Sequence, residues 1–267
     1  MGTLIKQECF KLFKKKSTFI IPIVIIAIML ILAIVSSHYS SIFSPEENFK
    51  NGYSSFSWAI FLLIIQASTI ITMEFHYGTI KNLLYRKYSR ISIVISKIIT
   101  LFIYSIIIFA IFLGITIVLH LIFNGDTSLI EASQNKESLL SDLLLRTLGV
   151  FVAMWLLISL TLLISCIMKS PGVSIAVGII FYFAVSIISG ILFAIINKWE
   201  WLKWNPINMM NIMVQIIDKS FKKITKHEFI SVIKILLMVG YSKWRQRSDQ
   251  FLIIGGGLGE KKSNKVI

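Results

Sequence analysis

An all-helical protein that crosses a membrane several times is the fold class this chain predicts, and three observations predict it. Of its 267 residues, 56% are hydrophobic and only 15% charged, where soluble domains carry about 25% charged residues. Mean hydropathy is +0.80. The apolar residues come in unbroken runs near the ~20 residues a helix needs to cross the hydrocarbon core. A barrel strand would instead alternate over about ten residues. Composition thus argues against a soluble enzyme, a disordered tail, a collagen-like chain and a disulfide-stapled secreted domain. The two cysteines, Cys9 and Cys166, are too few for a disulfide framework and fit no zinc-site spacing, so both read as free thiols.

The runs give five spans in order: residues 18–36, 56–73, 98–123, 143–168 and 172–196. The first follows Lys14-Lys15-Lys16 as the core of a signal peptide would. Its 19 residues exceed the usual h-region, and Ile34-Val35-Ser36 offers no small-x-small cleavage site, so it reads as an uncleaved helix. Between the fourth and fifth spans, Lys169-Ser170-Pro171-Gly172 reads as a tight turn between antiparallel helices. A sixth helix should begin near Glu228, but the apolar stretch 229–241 is 13 residues long and contains Lys234. At 1.5 Å per residue it reaches about 20 Å, short of a ~30 Å core. A short tilted span, a surface helix and no sixth span all remain open. The chain therefore divides into a transmembrane domain, 1–241, and a basic, glycine-containing tail, 242–267, for which a divergent or frameshifted C-terminus is one of the open readings.

Orientation follows from Lys and Arg in the short flanks. Residues 1–17 carry net +4 and residues 74–97 also +4, while 37–55 carry −1 and 124–146 carry −2. That alternation places the N-terminus in the cytoplasm, and it gives the excess of Lys and Arg a role in orientation without invoking nucleic acid. Residues 197–228, expected outside, carry net +3 and break the rule. Trp199, Trp201 and Trp204 suit an amphipathic stretch lying at the outer interface there.

Catalytic signatures are missing from the sequence. The cluster Gly255-Gly256-Gly257-Leu258-Gly259-Glu260-Lys261 lacks the Gly-x4-Gly-Lys-Ser/Thr spacing of a phosphate loop, and Glu260 stands at the third Gly of a dinucleotide fingerprint. It reads as tail. No helix carries His-Glu-x-x-His, and Ser186 to Gly190 lacks the Gly-x-Ser-Gly of an intramembrane serine protease. His38, His76, His120 and His227 scatter near span ends. No metal, cofactor or bond chemistry is expected. Ion-coupled transporters keep charges at mid-membrane, and these five spans have none near their centres. Arg146, at the outer end of the fourth, can snorkel to the interface. Gln66, Ser68, Thr69, Ser105, Thr116, Ser159, Thr161 and Ser165 are expected to join helices by hydrogen bonds.

The most distinctive stretch follows the second span: Glu74-Phe75-His76-Tyr77-Gly78-Thr79-Ile80-Lys81-Asn82-Leu83-Leu84-Tyr85, then Arg90, then Lys97 opening the third helix. Its apolar residues recur near helical period with basic residues between them, as in a helix lying along a membrane surface. A plain basic loop with Gly78 only permitting a turn is the simpler alternative. Ahead of the first span, Glu8-Cys9-Phe10-Lys11-Leu12-Phe13-Lys14 has the same mixed character. Together with Asn205-Pro206 after the fifth span, these stretches resemble the permease subunits of type-two ABC exporters (the ABC-2 family). The likeness extends over about residues 1–241 and is nearest to the small permeases of bacitracin and lantibiotic immunity systems.

The resemblance implies a multi-pass permease of a bacterial cytoplasmic membrane that does no chemistry itself. A separate ABC ATPase chain would supply ATP hydrolysis, and a second permease, identical or not, would complete the assembly. The substrate would be amphipathic, such as a peptide antibiotic. Residues 74–85 would dock in a groove of the ATPase, with Glu74, Phe75, Gly78, Thr79, Lys81, Leu83, Arg90 and Lys97 as the coupling set. Glu8, Lys11 and Lys14 would belong to an interfacial N-terminal helix. The runner-up is a non-transport membrane protein, an immunity factor or scaffold that sequesters a peptide at the membrane.

Overall fold

The computed structural model describes residues 2–39, 43–79, 89–124, 138–168 and 170–195, and near the C-terminus residues 238, 241–243, 245 and 246. The described residues are helical with short connections and include no strand. The helices are α1 (Gly2–Lys14), α2 (Ser17–His38), the short α3 (Pro45–Lys50), α4 (Ser55–His76), α5 (Arg90–Phe123), α6 (Leu139–Ile167) and α7 (Pro171–Ile195). Five of them, α2 and α4 to α7, are long and apolar enough to cross a membrane.

The helix ends show why these residues start and stop where they do. Ser89 caps α5 by accepting the Ser92 amide at 3.2 Å, and Ser138 caps α6 by accepting that of Ser141 at 3.4 Å. Each satisfies one of the amides a helix N-terminus leaves without a partner. The turn expected at Pro171-Gly172 falls slightly earlier: Ser170 accepts the Val173 amide at 3.3 Å, and Pro171 is the first residue of α7. Proline suits that position because its missing N–H would have had no partner there.

α4 is the central helix. It packs against α2, α5, α6 and α7, so most of its residues are buried, whereas α2 and α7 show broad apolar faces outward. The core runs from Met29 and Ala33 of α2 through Leu62, Leu63 and Ala67 of α4 to Phe112 of α5 and Ile158 of α6. α4, α6 and α7 approach one another closely at Gly178. A Cβ there would stand 2.9 Å from Ile64 Cγ2 and 3.4 Å from Thr161 Cγ2, so only glycine fits without movement.

Two features differ from the sequence expectation. α5 begins at Arg90 rather than near residue 98, so Lys97 lies two turns inside the helix instead of opening it. At 1.5 Å per residue its 34 residues reach about 51 Å, roughly 20 Å more than the hydrocarbon core. The surplus lies at the Arg90 end, where the buried polar residues Ser96, Lys97 and Thr100 cluster. Of the eight polar residues expected to join helices, four do: Gln66, Ser68 and Ser165 bond to another helix, and Thr69 accepts from Lys15 in the α1–α2 bend. Thr116, Ser159 and Thr161 bond back to carbonyls three or four residues earlier on their own helix. The described cross-helix bonds come from a few residues, including Ser68 to the Ser174 carbonyl and Ser165 to the Ser174 hydroxyl.

Pro22, inside α2, leaves the Thr18 carbonyl without its usual i+4 donor. The hydroxyl of Tyr104 on α5 donates to that carbonyl at 3.2 Å. At the α3 end, Lys50 pairs with Asp142 at 3.5 Å, and Arg146 pairs with Glu47 at 3.5 Å and donates to Asn51 Oδ1 at 3.0 Å. These contacts hold α3 against the start of α6. Neither Cys9 nor Cys166 is in a disulfide. The stretches 80–88 and 197–228, most of 229–241 and the glycine cluster lie outside the described residues. Tyr241 packs against the core.

Candidate functional site: a ring of four charges at the foot of three helices

Leu4, Glu8 and Leu12 recur every four residues on α1, one above the other on a single face, and all three are buried. That face lies on the extended foot of α5. Two leucines and a glutamate on one stripe place a carboxylate where an apolar residue would ordinarily sit.

The foot of α5 answers it with Lys97, whose Nζ is 2.8 Å from Glu8 Oε2, 2.8 Å from Glu74 Oε1 at the end of α4, and 3.2 Å from the Ile70 carbonyl. The contacts with Glu8 and the Ile70 carbonyl are hydrogen bonds from the ammonium, and that with Glu74 is an ion pair. Lys11, one turn on from Glu8, closes the circuit, with its Nζ 2.7 Å from Glu8 Oε1 and 3.1 Å from Glu74 Oε1. Charge alternates around the ring Glu8, Lys11, Glu74, Lys97, and the four cancel. Three corners are deeply buried, with Lys97 2%, Glu8 3% and Glu74 8% exposed. The fourth, the Lys11 side chain, is 53% exposed.

Ionisation within the ring is mutual. Burial alone would push the Glu8 carboxyl up, but the charge of Lys97, then hydrogen bonds from Lys11 and Lys97, hold it below its ordinary value. Burial likewise disfavours charged Lys11, yet the hydrogen bond to Glu8 and the charge of Glu74 raise it above its ordinary value. Both groups stay charged at neutral pH. One atom is left over: Glu74 Oε2 is buried without a hydrogen-bond partner.

Next to the ring stands a second polar group. Lys15, in the bend between α1 and α2, donates to Gln66 Oε1 at 3.2 Å and to Thr69 Oγ1 at 2.6 Å on α4. Gln66 in turn donates to Thr18 Oγ1 at 3.4 Å. No carboxylate pairs with Lys15 among the described residues, and burial pushes its ammonium below the ordinary lysine value. A cleft of about 110 Å³ separates α1 from α4 here.

Of the residues singled out from the sequence, Glu74, Lys97, Glu8 and Lys11 meet in this ring. Phe75 is buried in the core. Gly78 follows the end of α4 with φ +66, and its amide bonds to the Phe75 carbonyl at 3.3 Å, a left-handed helix stop that favours glycine. Thr79, exposed, turns its hydroxyl toward the Glu74 carbonyl at 3.5 Å. Lys14 is exposed on the other side of α1, 5.6 Å from the Phe10 ring. Arg90 is the first residue of α5. Lys81 and Leu83 lie outside the described residues.

The pairing of Glu8 with Lys97, across 89 positions, has no local signature. Lys15 also escaped sequence reading, because it sits in a basic run that serves orientation equally well. Gln66, mid-span, was the one available hint of a polar neighbour.

Residues 4–186 match the model of a family described as ABC-2 family transporter protein. Over 198 residues the chain is also 27% identical to an uncharacterized membrane protein, YdbK, of Bacillus subtilis (strain 168), covering 71% of this chain and 77% of that one. The matched family stretch takes in α1 through most of α7, and so includes every member of the ring. This chain is a multi-pass membrane protein and belongs to the ABC-2 family of transporter proteins.

Proposed function

We propose that this chain is the permease half of an ATP-driven exporter in a bacterial cytoplasmic membrane, with its N-terminus in the cytoplasm and its ATPase on a separate chain. A second permease completes the assembly, and the cargo is amphipathic, of the kind represented by peptide antibiotics. The observation that carries the reading is the ring itself. The connection between α4 and α5 leaves α4 two residues after Glu74 and enters α5 seven residues before Lys97. Both flanks of the connection are therefore tied to each other and to α1. A push on residues 77–89 by a partner moves α1, α4 and α5 together. In this reading Glu74 and Lys97 position the docking loop from inside, and the loop's own residues, Lys81 and Leu83 among them, touch the partner. Positive charge at this end, from the counts on residues 1–17 and 74–97, supports its cytoplasmic placement.

Co-expression of the tagged chain with the ABC ATPases of its source genome, each in turn, tests this. The wild type should co-purify with one of them. Glu74→Lys, which places a third cation in the ring, and Gly78→Val, which strains the left-handed stop, should each weaken the association several-fold. Undiminished complex formation with both altered would remove the docking role.

A further inference from the structure

The cleft between α1 and α4 is not needed for the docking role, and its chemistry is specific. The ring beside it is neutral, so Lys15 leaves the site with a net charge of +1. Two of the three Lys15 protons are used by Gln66 and Thr69, which leaves one free. Across the cleft, Glu74 lines the wall and its Oε2 is buried without a donor. An occupant that satisfies both must present an anion to Lys15 and a hydrogen-bond donor to Glu74. Leu12, Ile70 and Met73 make the remaining wall apolar, which calls for an apolar body behind the polar group. At about 110 Å³ the cleft is several times the 10–15 Å³ that holds one water. Glu8, Lys11 and Glu74 of its wall belong to the ring, which Lys97 joins at the end of α5 that exceeds the length needed for the hydrocarbon core.

We propose that this cleft binds a glycerol-phosphate group, supplied by an anionic phospholipid of the surrounding leaflet. The phosphate accepts from Lys15, and a headgroup hydroxyl donates to Glu74 Oε2. Net charge −1 on such a headgroup matches the +1 of the site, whereas a zwitterionic choline headgroup offers no donor and no net charge. The apolar wall favours the lipid over a soluble glycerol phosphate.

The test uses the intact purified protein in mild detergent, with lipid retention followed by native mass spectrometry and thermal unfolding measured in parallel. Phosphatidylglycerol, phosphatidylcholine and soluble glycerol 3-phosphate are the probes. Lys15→Gln is the informative variant. It removes a cation that burial penalises, so it should fold, and it keeps a donor for Gln66 and Thr69. Wild type should retain phosphatidylglycerol at least five-fold more tightly than phosphatidylcholine. Lys15→Gln should lose that preference and Lys15→Arg should keep it. Equal retention of the two lipids by wild type, or an undiminished preference in Lys15→Gln, overturns the site. Saturation by glycerol 3-phosphate at the concentration that suffices for the lipid overturns the lipid as its source.

Discussion

Replacing Lys97 by methionine, which has similar reach and no charge, tests the ring most directly. The side chain is 2% exposed and within 2.8 Å of both Glu8 and Glu74. At that distance and an effective dielectric near 20, each pair is worth roughly 6 kcal/mol of Coulomb attraction. Most of this offsets the several kcal/mol per ion that burial costs. Lys97→Met recovers only the lysine's share of that cost. It leaves two buried carboxylates facing one half-exposed ammonium and the Ile70 carbonyl without its side-chain donor. The expected net loss is about 3–5 kcal/mol, the range for a buried pair broken from one side.

In a detergent-solubilised protein followed by tryptophan fluorescence, that loss corresponds to a fall in Tm of about 6–20 °C, at about 2–4 °C per kcal/mol for a chain of this size. The double variant Glu8→Gln/Lys97→Met restores charge balance, because Glu74 and Lys11 then pair alone. It should be more stable than the single Lys97→Met variant. A single variant within about 1 kcal/mol of wild type, or a double variant as unstable as the added single effects, would show that the ring is not a coupled unit.

Two further outcomes follow from the geometry. Tyr104→Phe should cost about 1–3 kcal/mol, because it strips the Thr18 carbonyl of the donor that replaces the one Pro22 lacks. In a Pro22→Ala background, where the helix supplies its own donor, the same change should cost much less; equal costs in the two backgrounds in thermal unfolding would refute the compensation. For pH, the Glu8 pKa is lowered on folding, so its contribution is present above its ordinary 4.5 and is lost as pH falls through the lower folded value. The Lys11 pKa is raised, so its contribution is present below 10.5 and is lost only as pH rises through the higher folded value. Amide exchange of α1, corrected for intrinsic rate and referenced to mid-α5, should therefore be flat between about pH 5 and 10 and rise at both ends. A rise near pH 7 would contradict the assignment.

The spans were legible because length and apolarity are properties of contiguous residues, and the physics of crossing a bilayer depends on little else. The start of α5 was misplaced for the same reason. Residues 90–97 carry charges at both ends of an apolar stretch, which marks where lipid begins, whereas a helix follows backbone hydrogen bonding and is free to run on through Ser89's cap. Glu74 and Lys97 were picked out by their place around the loop between α4 and α5, and Glu8 by its place in an amphipathic stretch. That the three converge depends on the antiparallel packing of α4 and α5 and on α1 folding back along the foot of α5. One-dimensional spacing contains no record of that packing. The hydroxyl residues were expected to act between helices because polarity in a span suggests a partner. Their own carbonyls three and four residues back are always within reach, so that demand is met locally at Thr116, Ser159 and Thr161.

The ring's four corners differ in a way that bears on how the foot of the molecule could move. Both oxygens of Glu8 accept hydrogen bonds, from Lys11 and Lys97, so its side of the α1–α5 contact is saturated, and Leu4 and Leu12 back it. Both ion pairs to α4 converge on a single oxygen, Glu74 Oε1, while Oε2 has no partner, and Lys97 adds a hydrogen bond to the Ile70 carbonyl of the same helix. Between α1 and α4 there is an open cleft, crossed by the long side chains of Lys11 and Lys15. Rotating one carboxylate would thus exchange Oε1 for Oε2 toward either ammonium at small electrostatic cost, whereas separating α1 from α5 would break a saturated, buried pair. The half-exposed Lys11 bridge between α1 and α4 is therefore the contact that opens first, while Lys97 still holds α5 to α4 through Glu74 and the Ile70 carbonyl.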